Sequence, residues 1–309
     1  MIKTVVSTDL PVDEKLLIRK NVITQGESGK RICIVTGTHG DELEGQYVCW
    51  RMNQILAQRK HLLDGTVEIY PAINPLGIDT IQRGIPNFDL DMNRIFPGDP
   101  EGSQAEELVY HLMEDLKGAD MVIDIHASNI FLREIPQVRI NVNTADRLVP
   151  YAKWLKLDFI WVHEAATVLE STLAHSLNSV GTPTLVAEMG IGMRINHGYG
   201  ERLVKGIFNL MFHLGMWKEE PEMYCSPPES IVSAIGGVEF INATASGIFL
   251  TENRNNEIVA PGEEIGSIVS PLTGEILQKV VAPVHGLMFT LRAYPIVYEG
   301  SLLARIYKM

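Results

Sequence analysis

The sequence predicts an α/β fold: a mostly parallel mixed sheet with helices on both faces, followed by a small C-terminal all-β domain. Three observations carry this. Apolar runs of strand length alternate with segments of helical period from residue 31 to about 217, the pattern of a parallel sheet covered on both sides. Polar, proline-bearing stretches then follow, Glu219-Glu-Pro-Glu and Ser226-Pro-Pro-Glu229, as in a linker. Beyond them the helical period disappears and short Val/Ile runs are punctuated by glycines, which reads as β structure. The expected division is residues 1–220 for the α/β domain and 225–309 for the β domain.

Residues 1–24 alternate loosely around Pro11 and Asp13 and read as a hairpin at a sheet edge. Arg31–Thr36 is an apolar run and reads as a buried strand. From Leu43 to about Lys60 the residues Val48, Met52, Ile55 and Leu56 fall at helical spacing. Thr66–Ala72 is a further strand. Residues 76–102 are rich in Gly, Pro, Asp and Asn without a clean period, and so read as a long loop of the kind that is usually functional or disordered. Ser103 with Glu106 three positions on is a capping box that opens a helix to about Lys117. Strands are expected at Ala119–Ala127, Gln137–Val142, Phe159–His163 and Pro183–Met189. Helices are expected at Thr144–Leu157, Ser171–Val180 and His197–Trp217.

Composition narrows the function. The 309 residues are 46% hydrophobic and 21% charged, with a formal net charge of −12. That charge argues against nucleic acid or an anionic membrane as partner, since both need a basic footprint. A small anionic substrate needs only a few local arginines. The three cysteines, Cys33, Cys49 and Cys225, form no C-x-x-C pair. A cytoplasmic protein without disulfides or zinc–thiolate sites is expected. The N-terminus has no secretory-signal pattern, and no apolar run approaches a bilayer span.

The chemistry gathers around Thr36-Gly-Thr-His-Gly-Asp-Glu-Leu-Glu-Gly45, where a strand ends and a helix begins. Open α/β sheets place ligands at such corners. His39 and Glu42 can converge there on one metal ion, with Gly37 and Gly40 allowing the turn. Alone, the pattern equally describes a helix start with Asp41 and Glu42 facing the dipole. Asp124-Ile-His126 ends a second predicted strand and Glu188 a third. A catalytic zinc site has three His or carboxylate ligands and one open position. His39, Glu42 and His126 fit that set, although such ligands also suit other divalent ions. Glu188 is then a candidate carboxylate base outside the ligand set. In the long loop, Asn93 and Arg94 offer an amide and a guanidinium fork to a carboxylate. Arg83 is a candidate second cation at a developing oxyanion; it equally reads as a solvated loop charge. Asp89 and Asp91 read as loop-shaping hydrogen-bonding groups. His111, His175 and His213 read as structural or exposed, and His163 and His197 are unassigned.

Taken together, His39-Gly-Asp-Glu42, Asp91-Met-Asn-Arg94, Asp124-Ile-His126 and Glu188 in Val-Ala-Glu-Met-Gly make the chain resemble the succinylglutamate desuccinylase/aspartoacylase family, which belongs with the zinc carboxypeptidases. Residues 1 to about 220 resemble its catalytic domain and the remainder its small β domain. The resemblance implies one Zn2+ per chain held by His39, Glu42 and His126, Glu188 as general base and proton shuttle, Asn93 and Arg94 gripping a substrate carboxylate, and Arg83 assisting the oxyanion. Two departures stand out. Met92 replaces the usual leucine of Asp-Leu-Asn-Arg, and the interval from Arg83 to Arg94 is long. The β domain carries no lysine at a biotinyl- or lipoyl-type hairpin tip, so it is expected to be a lid or oligomerisation module.

The expected activity is therefore a zinc-dependent amide hydrolase that removes the acyl group from an N-acyl amino acid or similar small amide bearing a carboxylate. The alternatives are a metallocarboxypeptidase acting on peptide C-termini and a non-catalytic metal-binding or scaffold protein. The acyl group, the amine and the oligomeric state, including a homo-oligomer, are left open.

Overall fold

The computed structural model describes residues 1–164, 170–222, 229–252 and 255–309. In chain order its strands and helices are β1 (Ile2–Asp9), β2 (Lys15–Gln25), β3 (Arg31–Thr36), α1 (Glu44–Arg59), β4 (Gly65–Tyr70), α2 (Pro75–Thr80), α3 (Gln104–Leu116), β5 (Met121–Ala127), β6 (Leu132–Asn141), α4 (Ala145–Trp154), β7 (Phe159–His163), α5 (Leu173–Ser179), β8 (Thr184–Gly190) and α6 (His197–His213). Among the described residues nine strands follow: β9 (Ile231–Val232), β10 (Val238–Asn242), β11 (Gly247–Thr251), β12 (Glu257–Val259), β13 (Glu264–Val269), β14 (Ile276–Val281), β15 (Gly286–Arg292), β16 (Ile296–Val297) and β17 (Leu302–Lys308).

Four parallel strands in the order β4-β3-β5-β8 form the centre of the larger sheet. From β3 the chain moves to β4 on one side, then returns past β3 to β5 on the other. That reversal opens a crevice at the carboxyl ends of β3 and β5. Alternation sends Ile32 and Ile34 of β3 to one face, against α1, α4 and α6, whereas Cys33 and Val35 face α3, α5 and the β1/β2 hairpin. Both faces are thus buried, which is why β3 and β5 read as unbroken apolar runs. The hairpin lies at the sheet edge through antiparallel pairing of β2 with β4.

Three elements differ from the sequence reading. The stretch expected to be loop contains α2, capped by Asn74, whose side chain accepts from the Gly77 N–H at 3.0 Å. Six residues with Pro75 at the start are too few to show a helical period. Strand β6 begins five residues earlier than expected, at Leu132. Pro136 interrupts its pattern, and a register shift between Glu134 and Gln137 accommodates it against β8. Helix α6 ends at His213, with Gly215 in the left-handed region at φ 70°. The capping box at Ser103 and Glu106 forms as expected.

The C-terminal segment is all-β among its described residues. It forms a four-stranded sheet, β14-β13-β11-β16, and it also extends the larger sheet. Strand β6 is where the two meet. One of its edges pairs with β8; the other is shared by β7 along residues 137–141 and β15 along residues 132–134. Beyond β15 the sheet continues into β17 and β10. A small core of Ile135, Phe159, Leu287 and Phe289 closes this fork. Cys225 and part of the proline-bearing linker lie outside the described residues.

Candidate metal centre and active site

His39, His126 and Glu188 stand at the carboxyl ends of β3, β5 and β8, three neighbouring strands, and His126 is paired in register with Glu188. The turn after β3 delivers His39 and Glu42. Gly37 takes φ 70°, and Gly40 passes so close to the backbone of Gly77 that a Cβ there would lie 1.9 Å from its carbonyl carbon. The first glycine therefore supplies a backbone conformation and the second supplies space.

The candidate ligands converge. His39 Nδ1 lies 2.7 Å from Glu42 Oε1 and His126 Nδ1 lies 3.0 Å from Glu42 Oε2. Ligand atoms of all three residues fall within 4.8 Å of one another, and all three residues are buried. Each imidazole turns its other nitrogen toward an aspartate. His39 Nε2 is 3.0 Å from Asp91 Oδ1, and His126 Nε2 is 3.1 Å from Asp124 Oδ2, an ion-pair distance. A carboxylate behind each ligating imidazole is the usual support of a histidine metal site, since it fixes tautomer and ring orientation. Two inward Nδ1 atoms and one carboxylate are a donor set that suits a divalent cation and leaves a coordination position open. The residues present fit such an ion.

Electrostatics agree with a site built for positive charge. Burial alone disfavours a charged Glu42, yet the bonds from His126 and His39 hold its carboxyl far below the usual range. Burial likewise opposes protonation of the imidazoles, but Asp91 and Glu42 raise His39, and Asp124 and Glu42 raise His126 well above the ordinary value. Glu188 moves the other way. Burial pushes its carboxyl up, Arg139 opposes this, and Glu42 adds to it. Two carboxylates lining one cavity are thereby driven in opposite directions, the separation expected of a ligand and a proton-transfer group.

The remaining expected residues line the same cavity, of about 430 Å³. Arg83 Nη1 donates to Glu42 Oε1 at 3.1 Å and its Nε to Asp91 Oδ2 at 3.2 Å, so it stands beside the cluster while its side chain stays 41% exposed. Asn93 is buried and its Oδ1 accepts from the Leu173 N–H at 2.9 Å, which leaves the amide nitrogen as the end free to donate. Arg94 is exposed and bonds the Asn93 carbonyl at 2.7 Å. A 3-10 turn over Met92–Arg94, capped by Asp91, presents the pair. The fold thus brings all seven candidates to one cavity.

Residues 28–214 match the model of the succinylglutamate desuccinylase/aspartoacylase catalytic domain. The chain belongs to the succinylglutamate desuccinylase/aspartoacylase family. Members of this family are deacylases, hydrolases acting on amides. Among relatives, an N-alpha-acetyl-L-2,4-diaminobutyric acid deacetylase of Halomonas elongata is 26% identical over 242 residues, which covers 74% of this chain and 69% of that protein. Among solved structures, a succinylglutamate desuccinylase/aspartoacylase from Rhodobacter sphaeroides superposes with a TM-score of 0.84 at 23% identity, over 99% of this chain and 95% of that one. The product-bound ectoine utilization protein EutE (DoeB) from Ruegeria pomeroyi gives 0.80 at 20% identity, over 96% and 90%. The family match ends before β9, whereas the structural likeness runs through the C-terminal strands, so this succinylglutamate desuccinylase/aspartoacylase-family chain shares its whole architecture with those proteins.

Sequence reasoning left several residues of the site without a role. Asp124 and His126 share one face of β5 by strand alternation, a spacing that is the available signal for pairing this carboxylate with the imidazole. Asp91 reads from the sequence as a loop-shaping group; in the fold it also supports His39. Glu134, Arg139 and Arg305 carried no local signal beyond being charged residues in apolar strands, which is itself uncommon for buried positions.

Proposed function

We propose that the protein is a zinc-dependent deacylase that hydrolyses the amide bond of a small N-acyl amino acid. The observation that carries this reading is the geometry of His39, Glu42 and His126, each imidazole backed by an aspartate, with Glu188 in register beside His126. His39 and His126 through Nδ1, and Glu42 through its carboxylate, would hold the metal. A zinc ion held there supplies a lowered pKa for water and polarisation of a carbonyl oxygen.

The chain's own residues do the rest. Glu188, buried and with its carboxyl raised, accepts the proton of the attacking water at its carboxylate and returns it to the departing amine nitrogen. Among the described arginines that line the cavity, Arg94 differs in facing a backbone carbonyl rather than a carboxylate. Its fork is therefore available to a substrate carboxylate, with the Asn93 amide beside it. Arg83, within 3.1 Å of Glu42, is placed to donate to an oxyanion that develops next to the cluster. The cavity volume suits a single N-acyl residue better than a peptide chain, which favours deacylase over carboxypeptidase. The N-acetylated substrate named for the Halomonas elongata relative makes N-acetyl amino acids the first compounds to try.

The test is amine release from a panel of N-acyl amino acids and short peptides, with and without prior removal of metal by a chelator. Release from small N-acyl compounds that is lost on chelation and regained with zinc supports the reading. Cleavage of peptides alone would move the assignment to a carboxypeptidase.

A further inference from the structure

Glu188 does not stand alone in the wall of the cavity. Arg139 of β6 places Nη1 3.1 Å from Glu188 Oε2 and Nη2 3.0 Å from Glu134 Oε1. Glu134 is 1% exposed, and the same Oε1 accepts from Arg305 Nη1 at 2.9 Å. Its Oε2 accepts from Thr290 Oγ1 at 2.6 Å and from Gln137 Nε2 at 2.7 Å. Four donors, two of them cationic, fix this carboxylate in place. Both guanidinium groups also lie over the Trp161 ring, 5.3 and 5.2 Å from its centroid.

The result is a chain of contacts from the last strand of the protein to the candidate base. Arg305 on β17 braces Glu134, Glu134 braces Arg139, and Arg139 meets Glu188. Two guanidiniums share one buried carboxylate, so one positive charge remains, and it faces Glu188. The planar fork of Arg139 spans both carboxylates at once, which an ammonium on a flexible stem does not reproduce. Thr290 comes from β15, which joins β6 at its split edge, and Arg305 from β17, the next strand beyond it.

We propose that Arg139 is a positioning residue for Glu188, and that Arg305 holds it there through Glu134, so that the C-terminal strands complete the active site. The proposal rests on the reading of Glu188 as the base. It gives β15 and β17 a part in the chemistry that neither a lid nor an oligomerisation module provides.

The test compares Arg139→Ala, Arg305→Lys and Glu188→Gln in the zinc-loaded protein, with kcat, KM, metal per chain and Tm measured for each. Arg139→Ala is expected to lower kcat by about tenfold to a hundredfold, the scale of a misplaced catalytic group, with KM and metal content near wild type. Millimolar guanidinium is expected to restore part of that loss in Arg139→Ala and none in Glu188→Gln. Should Arg139→Ala fail to fold, Arg305→Lys carries the test, with a smaller fall in kcat at unchanged KM. Wild-type kcat in the arginine variants beside an inactive Glu188→Gln overturns the proposal and leaves the base assignment standing. A rise in KM at unchanged kcat also overturns it, because Arg139 then binds substrate directly. Full activity in Glu188→Gln removes the base assignment and this proposal with it. A crystal structure of Arg139→Ala with Glu188 in its original orientation overturns the positioning role independently of activity.

Discussion

His126 and Glu188 face each other across the parallel pair β5 and β8, directly opposite in the ladder. Their side chains therefore leave the sheet on the same face and at the same height, and no loop has to close to bring them together. Replacing Glu188 by Gln keeps shape and removes proton transfer. Turnover should fall by about 10²–10⁴-fold, while metal analysis of the purified variant should match wild type. Loss of the metal instead would make Glu188 a ligand.

Asp124 Oδ2 lies 3.1 Å from the outer nitrogen of His126, inside the sheet at 1% exposure. The Asp124→Asn variant should bind zinc about 10–100-fold more weakly, the range for loss of a carboxylate behind a ligating histidine. Competition against a chromophoric chelator measures this. An unchanged affinity would mean that His126 needs no such support.

Arg94 is presented by the Met92–Arg94 turn and, among the described residues, bonds the Asn93 carbonyl. Its replacement by Ala should raise KM for substrates with a free carboxylate at least tenfold and should affect the corresponding amides much less. An equal loss on both would argue against a carboxylate grip.

A separate buried cluster bears on stability. Lys20 Nζ lies 3.0 Å from Glu68 Oε2, and Arg31 Nη1 lies 3.0 Å from the same oxygen. Burial alone would raise the Glu68 carboxyl, but Lys20, Tyr70 and Arg31 together hold it below its ordinary value. Stabilisation from this group is thus present above the unfolded carboxyl pKa of roughly 4.3 and is lost as pH falls through the lower folded value. Glu68→Gln should cost about 3 kcal/mol at neutral pH, the lower end for breaking a buried pair, because Asp115 still faces Lys20 at 2.7 Å. Denaturant titrations should show the two proteins converging in acid; a constant gap would show that the loss is packing rather than charge.

Much of the candidate site was legible because it falls at strand ends. The apolar runs before His39, His126 and Glu188 placed those side chains on one rim, and β3, β5 and β8 are indeed neighbours. Asn93 and Arg94 were visible as donors in a loop without a strand or helix period, although Ile85, Met92 and Phe96 of the same loop pack into the core. What supports Glu188 was hidden for two physical reasons. The shift between Glu134 and Gln137 breaks strand alternation at Pro136, so no period-2 pattern puts Glu134 and Arg139 together. Arg305 reaches Glu134 from 171 positions away, a distance at which only tertiary pairing brings residues into contact. The helix α2 was missed because its signal is a cap rather than a period.

The split edge of β6 has a consequence for how this architecture can be recombined. A chimaera that joins residues 1–220 of this chain to the C-terminal strands of a relative would not simply exchange a cassette. It would leave Leu132–Glu134 to find a new partner strand, and Glu134 to find a new hydroxyl and a new guanidinium. Parts that can be traded between relatives must therefore keep β6 together with β15 and β17, because a join that separates them cuts through the wall of the cavity at Glu134, Arg139 and Arg305.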